Sequence, residues 1–412
     1  MKKLLIVSLN SCYPLYHGGA LAQYYFLDGL KEQVEFVFCT IVSTEKELEN
    51  IEIFKKKQPF IKVYFVDERL PNVKETLKSK INQQLFKLYR ILFPKEINPD
   101  DSTIEFDDFR DPYFLTVDKQ RNPSFVGLIN DVIEKENIQQ VQFEFYDTMD
   151  YCFAVPSTIR KIFIHHELRF KRLKLAAKSS NLPELYKNYL IDKTEAYERM
   201  CVGQMDEVVV FNKDDAQLLV ANSKHLTVSP FAVPDELIFK QTEREVFKQL
   251  LFVGGEEHTP NKLGLLWFLD TIYIPNIDEI PFPLYIVGSW SKIIKEKYKA
   301  YSQICFYGEV ESIEPYFEAS LFINPILTGA GLRTKVLHAF VNKVPVLSTR
   351  FGAEGCFDDQ NNAHLCLFDH AKEFLEIMHT TDFKDTGLKG FDYYTQFFNK
   401  GKLLSIRNNI IY

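Results

Sequence analysis

Several signatures that would settle a function at once are missing from this 412-residue sequence. It has no Gly-x-Gly-x-x-Gly turn and no P-loop turn, so neither a nicotinamide cofactor nor a nucleoside triphosphatase is supported. The seven cysteines (Cys12, Cys39, Cys152, Cys201, Cys305, Cys356, Cys366) are odd in number and widely spaced. They form no Cys-x-x-Cys pair and no Cys/His cluster at zinc spacing, and read as buried thiols in a reducing compartment. No apolar run approaches the ~20 residues needed to span a bilayer. The apolar start of MKKLLIVSLNSCYP ends after about seven residues and meets Asn10 and Tyr13-Pro14 instead of a small-residue cleavage site, so it reads as a first core strand rather than a signal peptide. Positive charge is also short: 49 Lys and Arg against 56 Asp and Glu leave a formal charge of −7, which argues against bulk nucleic-acid binding.

What is present describes an ordinary globular protein, with 46% hydrophobic and 25% charged residues. The length exceeds what one hydrophobic core usually organises, so two domains are expected. Short apolar runs alternate with helical-period segments, the signature of parallel sheets covered by helices on both faces. Candidate strands are Leu4–Ser8, Glu35–Ile41, Lys62–Val66, Val141–Phe145, Lys161–Ile164 and Glu207–Phe211, then Leu250–Gly254, Leu284–Gly288, Ile304–Tyr307, Leu321–Asn324, Val344–Ser348 and His364–Leu367. The pattern starts twice. Between the series, the prolines of SPFAVPDELIF (229–239) break the periodicity and mark a linker. The expected fold class is therefore α/β, with a first domain over 1–229, a second over 230–386, and a helical tail over 387–412 that packs back. Residues 71–122 interrupt the first domain, and within them 73–95 read as a basic amphipathic helix. That helix fits a solvated surface face or contact with an anionic membrane.

Three strand-to-helix junctions carry candidate chemistry. Gly18 and Gly19 follow the first strand and open a helix; glycines there let backbone or ligand approach, and the helix N-terminus favours oxygen-rich groups. The same pair fits a turn with no ligand at all. At the start of the second series, Gly254 and Gly255 sit in the turn and Pro260-Asn261 opens the next helix. The third junction, TGAGLRTKVLHAF (328–340), combines Gly329, Ala330 and Gly331 with bare backbone N–H groups at a helix start and two cations, Arg333 and Lys335. Dipole, donors and charge converge there on one anion. Helical spacing sets Lys335 and His338 about 60° apart, within reach of one ligand.

The succession LLFVGGEEHTPNKLGLLWFLDTIYIP, PLYIVGS, CFYGEV, FINPILTGAGLRTKVLHAFVNKVPVLSTRFGAEG resembles the C-terminal half of GT-B glycosyltransferases of the retaining family 4 type, the glycosyl transferases group 1. Order, spacing and residue type agree over about 110 residues. In the N-terminal half the likeness rests on HGGA and on RKIFIHHELRF. The resemblance implies two Rossmann-like doubly wound domains facing across a cleft. It implies that Gly329, Ala330, Gly331 and Leu332 offer N–H groups to the diphosphate of a nucleotide sugar, with Arg333 or Lys335 balancing its charge and Gly18 and Gly19 lining the opposite wall. His165 matches the family's histidine that reaches the transferred sugar, and equally fits a strand cap. Glu144 is a candidate acceptor-side group, or simply a strand-end carboxylate. The chain departs from the family where two glutamates stand eight positions apart, here Ala330 and His338, and where an Arg and a Lys follow the first strand, here Gly255 and Asn261. An imidazole hydrogen-bonds a ribose hydroxyl but does not accept two at once as a carboxylate does.

The expected function is transfer of a sugar from a nucleotide diphosphate to a glycan or lipid-linked acceptor, in cell-surface polysaccharide or glycoconjugate synthesis. The resemblance implies retention at the anomeric carbon. No cofactor and no metal is expected, because the chain has no Asp-x-Asp pair and the helix dipole, backbone donors and cations stand in for the metal. A cytoplasmic protein, with peripheral contact to the membrane's inner face, follows from that reading. Two alternatives stay open: a sugar-nucleotide epimerase on the same fold, and a binding or scaffold protein that has lost transfer.

Overall fold

The structure is a computed structural model, and it describes residues 2–13, 15, 18–69, 121–177, 180, 182–239, 246–329, 333–356 and 362–411. The basic segment 73–95 lies outside the described residues. The first unit is built from β1 (Lys2–Val7), α1 (Gly18–Gly29), β2 (Val34–Val42), α2 (Glu45–Lys57), β3 (Lys62–Asp67), α3 (Pro123–Lys135), β4 (Gln140–Glu144), β5 (Arg160–His165), α4 (Arg169–Ala176), α5 (Glu184–Val202), β6 (Glu207–Val210), α6 (Lys213–Leu219) and β7 (Leu226–Val228). Its seven strands lie in the order β3-β2-β1-β4-β5-β6-β7, with every pairing parallel.

The second unit repeats the plan with β8 (Gln249–Val253), α7 (Thr259–Phe268), β9 (Leu284–Val287), α8 (Lys292–Tyr298), β10 (Ile304–Gly308), α9 (Glu314–Phe317), β11 (Ser320–Asn324), α10 (Thr334–Val341), β12 (Val346–Ser348), β13 (Cys366–Leu367) and α11 (Ala371–Thr380). Its order is β10-β9-β8-β11-β12-β13, again parallel throughout. Both sheets are doubly wound, and each reverses its winding beside its first strand, at β1/β4 and at β8/β11. Crevices outside the carboxyl ends of strands at such reversals are where open α/β sheets take ligands.

Burial explains why these runs became strands. Leu4, Leu5, Ile6 and Val7 are fully buried, as are Leu250 and Leu251, because helices cover both sheet faces. The strand β7 escapes the sequence reading because it has only three residues, all half-buried, at the sheet edge.

The chain then returns to where it began. Helices α12 (Phe383–Phe397) and α13 (Lys400–Ile410) follow the second sheet, and α13 packs on the first unit. Lys2 Nζ donates to the Asn408 carbonyl at 2.7 Å and Tyr25 Oη to the Lys400 carbonyl at 3.1 Å. One hydrophobic cluster accordingly runs through Leu4, Ile6 and Phe26, on to Val336, Leu337 and Phe340, and to Tyr394, Leu403 and Ile410. Among the described residues no helix is long and apolar enough to cross a membrane.

Candidate functional site

The loops that rise from β8 and β11 meet at Lys335. From the first turn of α10 its ammonium reaches back to Asn261 Oδ1 at 2.8 Å, while Asn261 Nδ2 donates to the Gly255 carbonyl at 3.2 Å. Glycine at 254 makes this possible, since a Cβ there would stand 2.7 Å from Lys335 Nζ and 2.6 Å from Asn261 Nδ2. Gly329 closes the same corner with φ 117° and its backbone against Pro260. Among the described residues no carboxylate pairs with Lys335, and burial pushes its ammonium down to about 8. A desolvated cation with no carboxylate partner among the described residues, beside two glycine turns and two helix starts, is an arrangement whose charge and backbone donors favour an anion.

The two cations of the third junction are therefore not equivalent. Arg333 is already engaged: Nη2 lies 3.1 Å from Glu354 Oε2, and its guanidinium stacks over Phe351 at 4.8 Å. Glu354 in turn meets Lys171 of the first unit at 3.2 Å, and Lys171 meets Asp215 at 2.9 Å. This row of ion pairs ties the second unit to α4 and α6 of the first. Burial holds the Arg333 guanidinium below its ordinary value, and its Nε is buried without a hydrogen bond. Ala330, Gly331 and Leu332, expected to bind the diphosphate, lie outside the described residues.

His258 belongs to this corner, although the sequence reading passed over it. It stands at the N-cap of α7, and burial first, then the neighbouring Lys335 charge, push its imidazole down to about 4, so the ring is neutral. Arg172 and Glu167 of the first unit also act on it electrostatically, which places the loop after β5 across from α7. Glu167 sits 3.4 Å from both Arg169 and Arg172. Burial alone would raise its carboxyl; the two guanidinium groups more than reverse that and leave it below the usual range. The signal was available in the sequence, in the histidine two residues before Pro260 in a glycine-rich junction.

Across the cleft Gly18 opens α1 so close to α10 that a Cβ would stand 2.9 Å from Thr334 Cγ2; Gly19 follows it in the same turn. The paired histidines at the end of β5 separate onto opposite faces of the sheet, as the strand period of two demands. His165, at 1% exposure, lies 3.3 Å from Glu198 on α5. Glu198 is committed to the backbone N–H groups of Arg169 and Phe170 at 2.9 Å, and both His165 ring nitrogens are buried without hydrogen bonds. His166 turns to the other face, where its Nε2 meets Glu144 Oε2 at 2.7 Å and its ring stacks on Phe145 at 3.9 Å. Phe145 carries φ 69°, a strained conformation for a residue with a bulky side chain, and such strain gathers at working sites. Of the two histidines it is His166 that pairs with Glu144, while His165 lies against Glu198.

The expectation for His338 is corrected. Its Nε2 donates to the Leu237 carbonyl at 2.9 Å, and the ring packs between Phe239 and Phe317. Asn342, one turn on, bonds the same carbonyl and accepts from the Phe239 N–H. His338 therefore pins the linker between the units instead of facing a ribose, and burial pushes it down to about 4. Among the described residues no three His, Cys, Asp or Glu side chains gather as a metal site.

Residues 247–380 match the family model of Glycosyl transferases group 1. A curated relative, an uncharacterized 44.6 kDa protein in the cps region of Klebsiella pneumoniae, is 29% identical over 164 residues, which cover 37% of this chain and 41% of that one. The match thus spans less than half of that relative's length. Among solved structures, a mutant of S. aureus TarM crystallised with fondaparinux, alpha-GlcNAc-glycerol and UDP superposes with a TM-score of 0.63 at 12% identity, covering 100% of this chain and 99% of TarM. The pneumococcal O-GlcNAc transferase GtfA with UDP and GlcNAc gives 0.61 at 10%, covering 99% and 98%. WaaG, a glycosyltransferase involved in lipopolysaccharide biosynthesis, gives 0.58 at 10%, covering 99% of each chain. At such identities the likeness is one of fold.

Proposed function

With its second unit a glycosyl transferases group 1 domain and its whole chain folded as the GT-B enzymes are, we propose that the protein transfers a sugar from a uridine-diphosphate sugar to a glycan or lipid-linked acceptor. The observation that carries this reading is Lys335, a cation with no carboxylate partner among the described residues, seated between Gly254, Asn261 and the helix start of α10. A diphosphate supplies the missing charge. UDP is favoured because TarM and GtfA were crystallised with it and the Anabaena protein HepE with UDP-glucose. The cps-region relative supports a surface polysaccharide or glycoconjugate as product, and so a donor supplied in the cytoplasm. If the acceptor is lipid-linked, the basic segment 73–95 is the stretch suited to an anionic membrane.

In the proposed reaction the bond between the anomeric carbon and the diphosphate oxygen breaks and a bond to an acceptor hydroxyl oxygen forms on the same face. The acceptor's proton passes to the departing phosphate oxygen, so no separate base is required. Lys335, the N–H groups of the α10 turn and neutral His258 stabilise the leaving diphosphate by charge and hydrogen bonding. Arg333 joins them on exchanging Glu354 for phosphate. Glu144 and His166 are the groups proposed to act on the acceptor side.

One observation favours a second reading, a binding protein without turnover: the two positions where relatives carry glutamate hold Ala330 and His338, and His338 is employed in the linker. Incubation with a panel of UDP-sugars, with and without oligosaccharide acceptors, separates the two. Release of UDP that Lys335→Met abolishes supports transfer. Nucleotide binding with no release from any donor supports the second reading.

A further inference from the structure

Arg407 lies in α13, more than 240 residues beyond β5 in sequence, yet the residue is only 5% exposed, packed against the first unit. It stacks over the Phe26 ring at 4.3 Å, and Nη2 donates to Gln142 Oε1 at 3.4 Å. Gln142 Nε2 donates to Glu144 Oε1 at 2.6 Å, and Glu144 Oε2 meets His166 Nε2 at 2.7 Å. Gln142 and Glu144 are 1% and 2% exposed, so the line runs from the tail to His166 with little solvent to interrupt it.

The donor and acceptor inventory gives this line a direction. Arginine has only donors, so Gln142 must turn its oxygen to Arg407 and its NH₂ to Glu144. A carboxylate only accepts, so the His166 hydrogen must sit on Nε2. In the neutral ring Nδ1 is then a bare acceptor, and in the structure it is buried with no hydrogen bond. The charges also balance, Arg407 against Glu144. The other titratable groups that face the set, Cys12 beside Glu144 and Tyr25 beside Arg407, are pushed up by burial and stay neutral.

We propose that Arg407 is a positioning residue which, through Gln142 and Glu144, holds His166 with its hydrogen on Nε2 and Nδ1 free to accept a substrate hydroxyl, so that docking of the tail helix completes the site. The hydroxyl rests on the transfer reaction proposed above; the tautomer does not.

The test uses the full chain with ¹⁵N-labelled histidine. Two-bond ¹H–¹⁵N correlations separate the Nε2–H tautomer from the other forms, and His166→Gln identifies the signal. The wild type should show the Nε2–H pattern for His166. Arg407→Met should lose that pattern, because without the Arg407 donor nothing fixes the direction of the Gln142 amide that holds Glu144 against His166; Arg407→Lys should keep it. Gln142→Leu, which leaves the tail packing in place, should lose it as Arg407→Met does. Folded Arg407→Met or Gln142→Leu with the wild-type pattern, or a wild type carrying its hydrogen on Nδ1, overturns the proposal. In the transfer assay Arg407→Met should lower kcat roughly tenfold or more with little change in donor KM. A wild type without transfer activity but with the expected tautomer behaviour would refute the reaction and leave the positioning role standing.

Discussion

Lys335 Nζ and Asn261 Oδ1 lie 2.8 Å apart, joining the first turn of α10 to the first turn of α7. The ammonium from α10 thus reaches the turn after the first strand of the second unit, where asparagine receives it.

The depressed Lys335 sets a pH dependence. Its ammonium titrates at about 8 in the folded protein, against an ordinary value of 10.5. Between those values the unfolded chain binds more protons than the folded one, so the contribution of this group to stability rises as pH climbs from about 8 towards 10.5. Diphosphate binding runs the other way because it needs the cation: UDP affinity measured by calorimetry should fall as pH rises above about 8. Lys335→Met should flatten both trends.

Close approach across the cleft predicts a compensating pair. Gly18→Ala places a methyl group 2.9 Å from Thr334 Cγ2, so the Thr334 side chain or the helices that carry the pair must shift. A roughly tenfold fall in transfer rate is expected, since misplacement of about 1 Å at a reacting site costs up to ~100-fold. Thr334→Ser removes Cγ2 and, combined with Gly18→Ala, should recover most of the rate. Steady-state kinetics on the single and double variants decides this.

Restoring the family's glutamate should harm the fold. In His338→Glu a carboxylate would face the Leu237 carbonyl between Phe239 and Phe317, with no hydrogen to donate. A loss on the order of 3 kcal/mol is expected in chemical denaturation, with no gain in turnover. His338→Gln, which keeps a donor, should lose less.

Much of the framework was legible because parallel strands buried on both faces read as apolar runs, and all six candidate strands of the second half coincide with β8 to β13. The edge strand β7 was not, since three half-buried residues leave no pattern. In the candidate site, the helix starts that carry Lys335 and Asn261 were legible in the sequence. Choosing between His165 and His166 was not: strand alternation says only that they point apart, and which face meets the cleft depends on where the second unit and the tail pack. His338 shares a helical stripe with Lys335, but its acceptor, the Leu237 carbonyl, comes from a linker whose path no local pattern encodes. Arg407 shows the same limit from the other end, an arginine in an apolar tail that becomes informative only once α13 lies beside β4.

The central claim is that a nucleotide diphosphate occupies the corner held by Lys335. Isothermal titration of UDP into the wild type and Lys335→Met at pH 7, with fold checked by circular dichroism, tests it most directly. Loss of one charge-assisted contact of about 1.5 to 3 kcal/mol should weaken binding on the order of tenfold to a hundredfold. A folded Lys335→Met that binds UDP as tightly as the wild type would contradict the account.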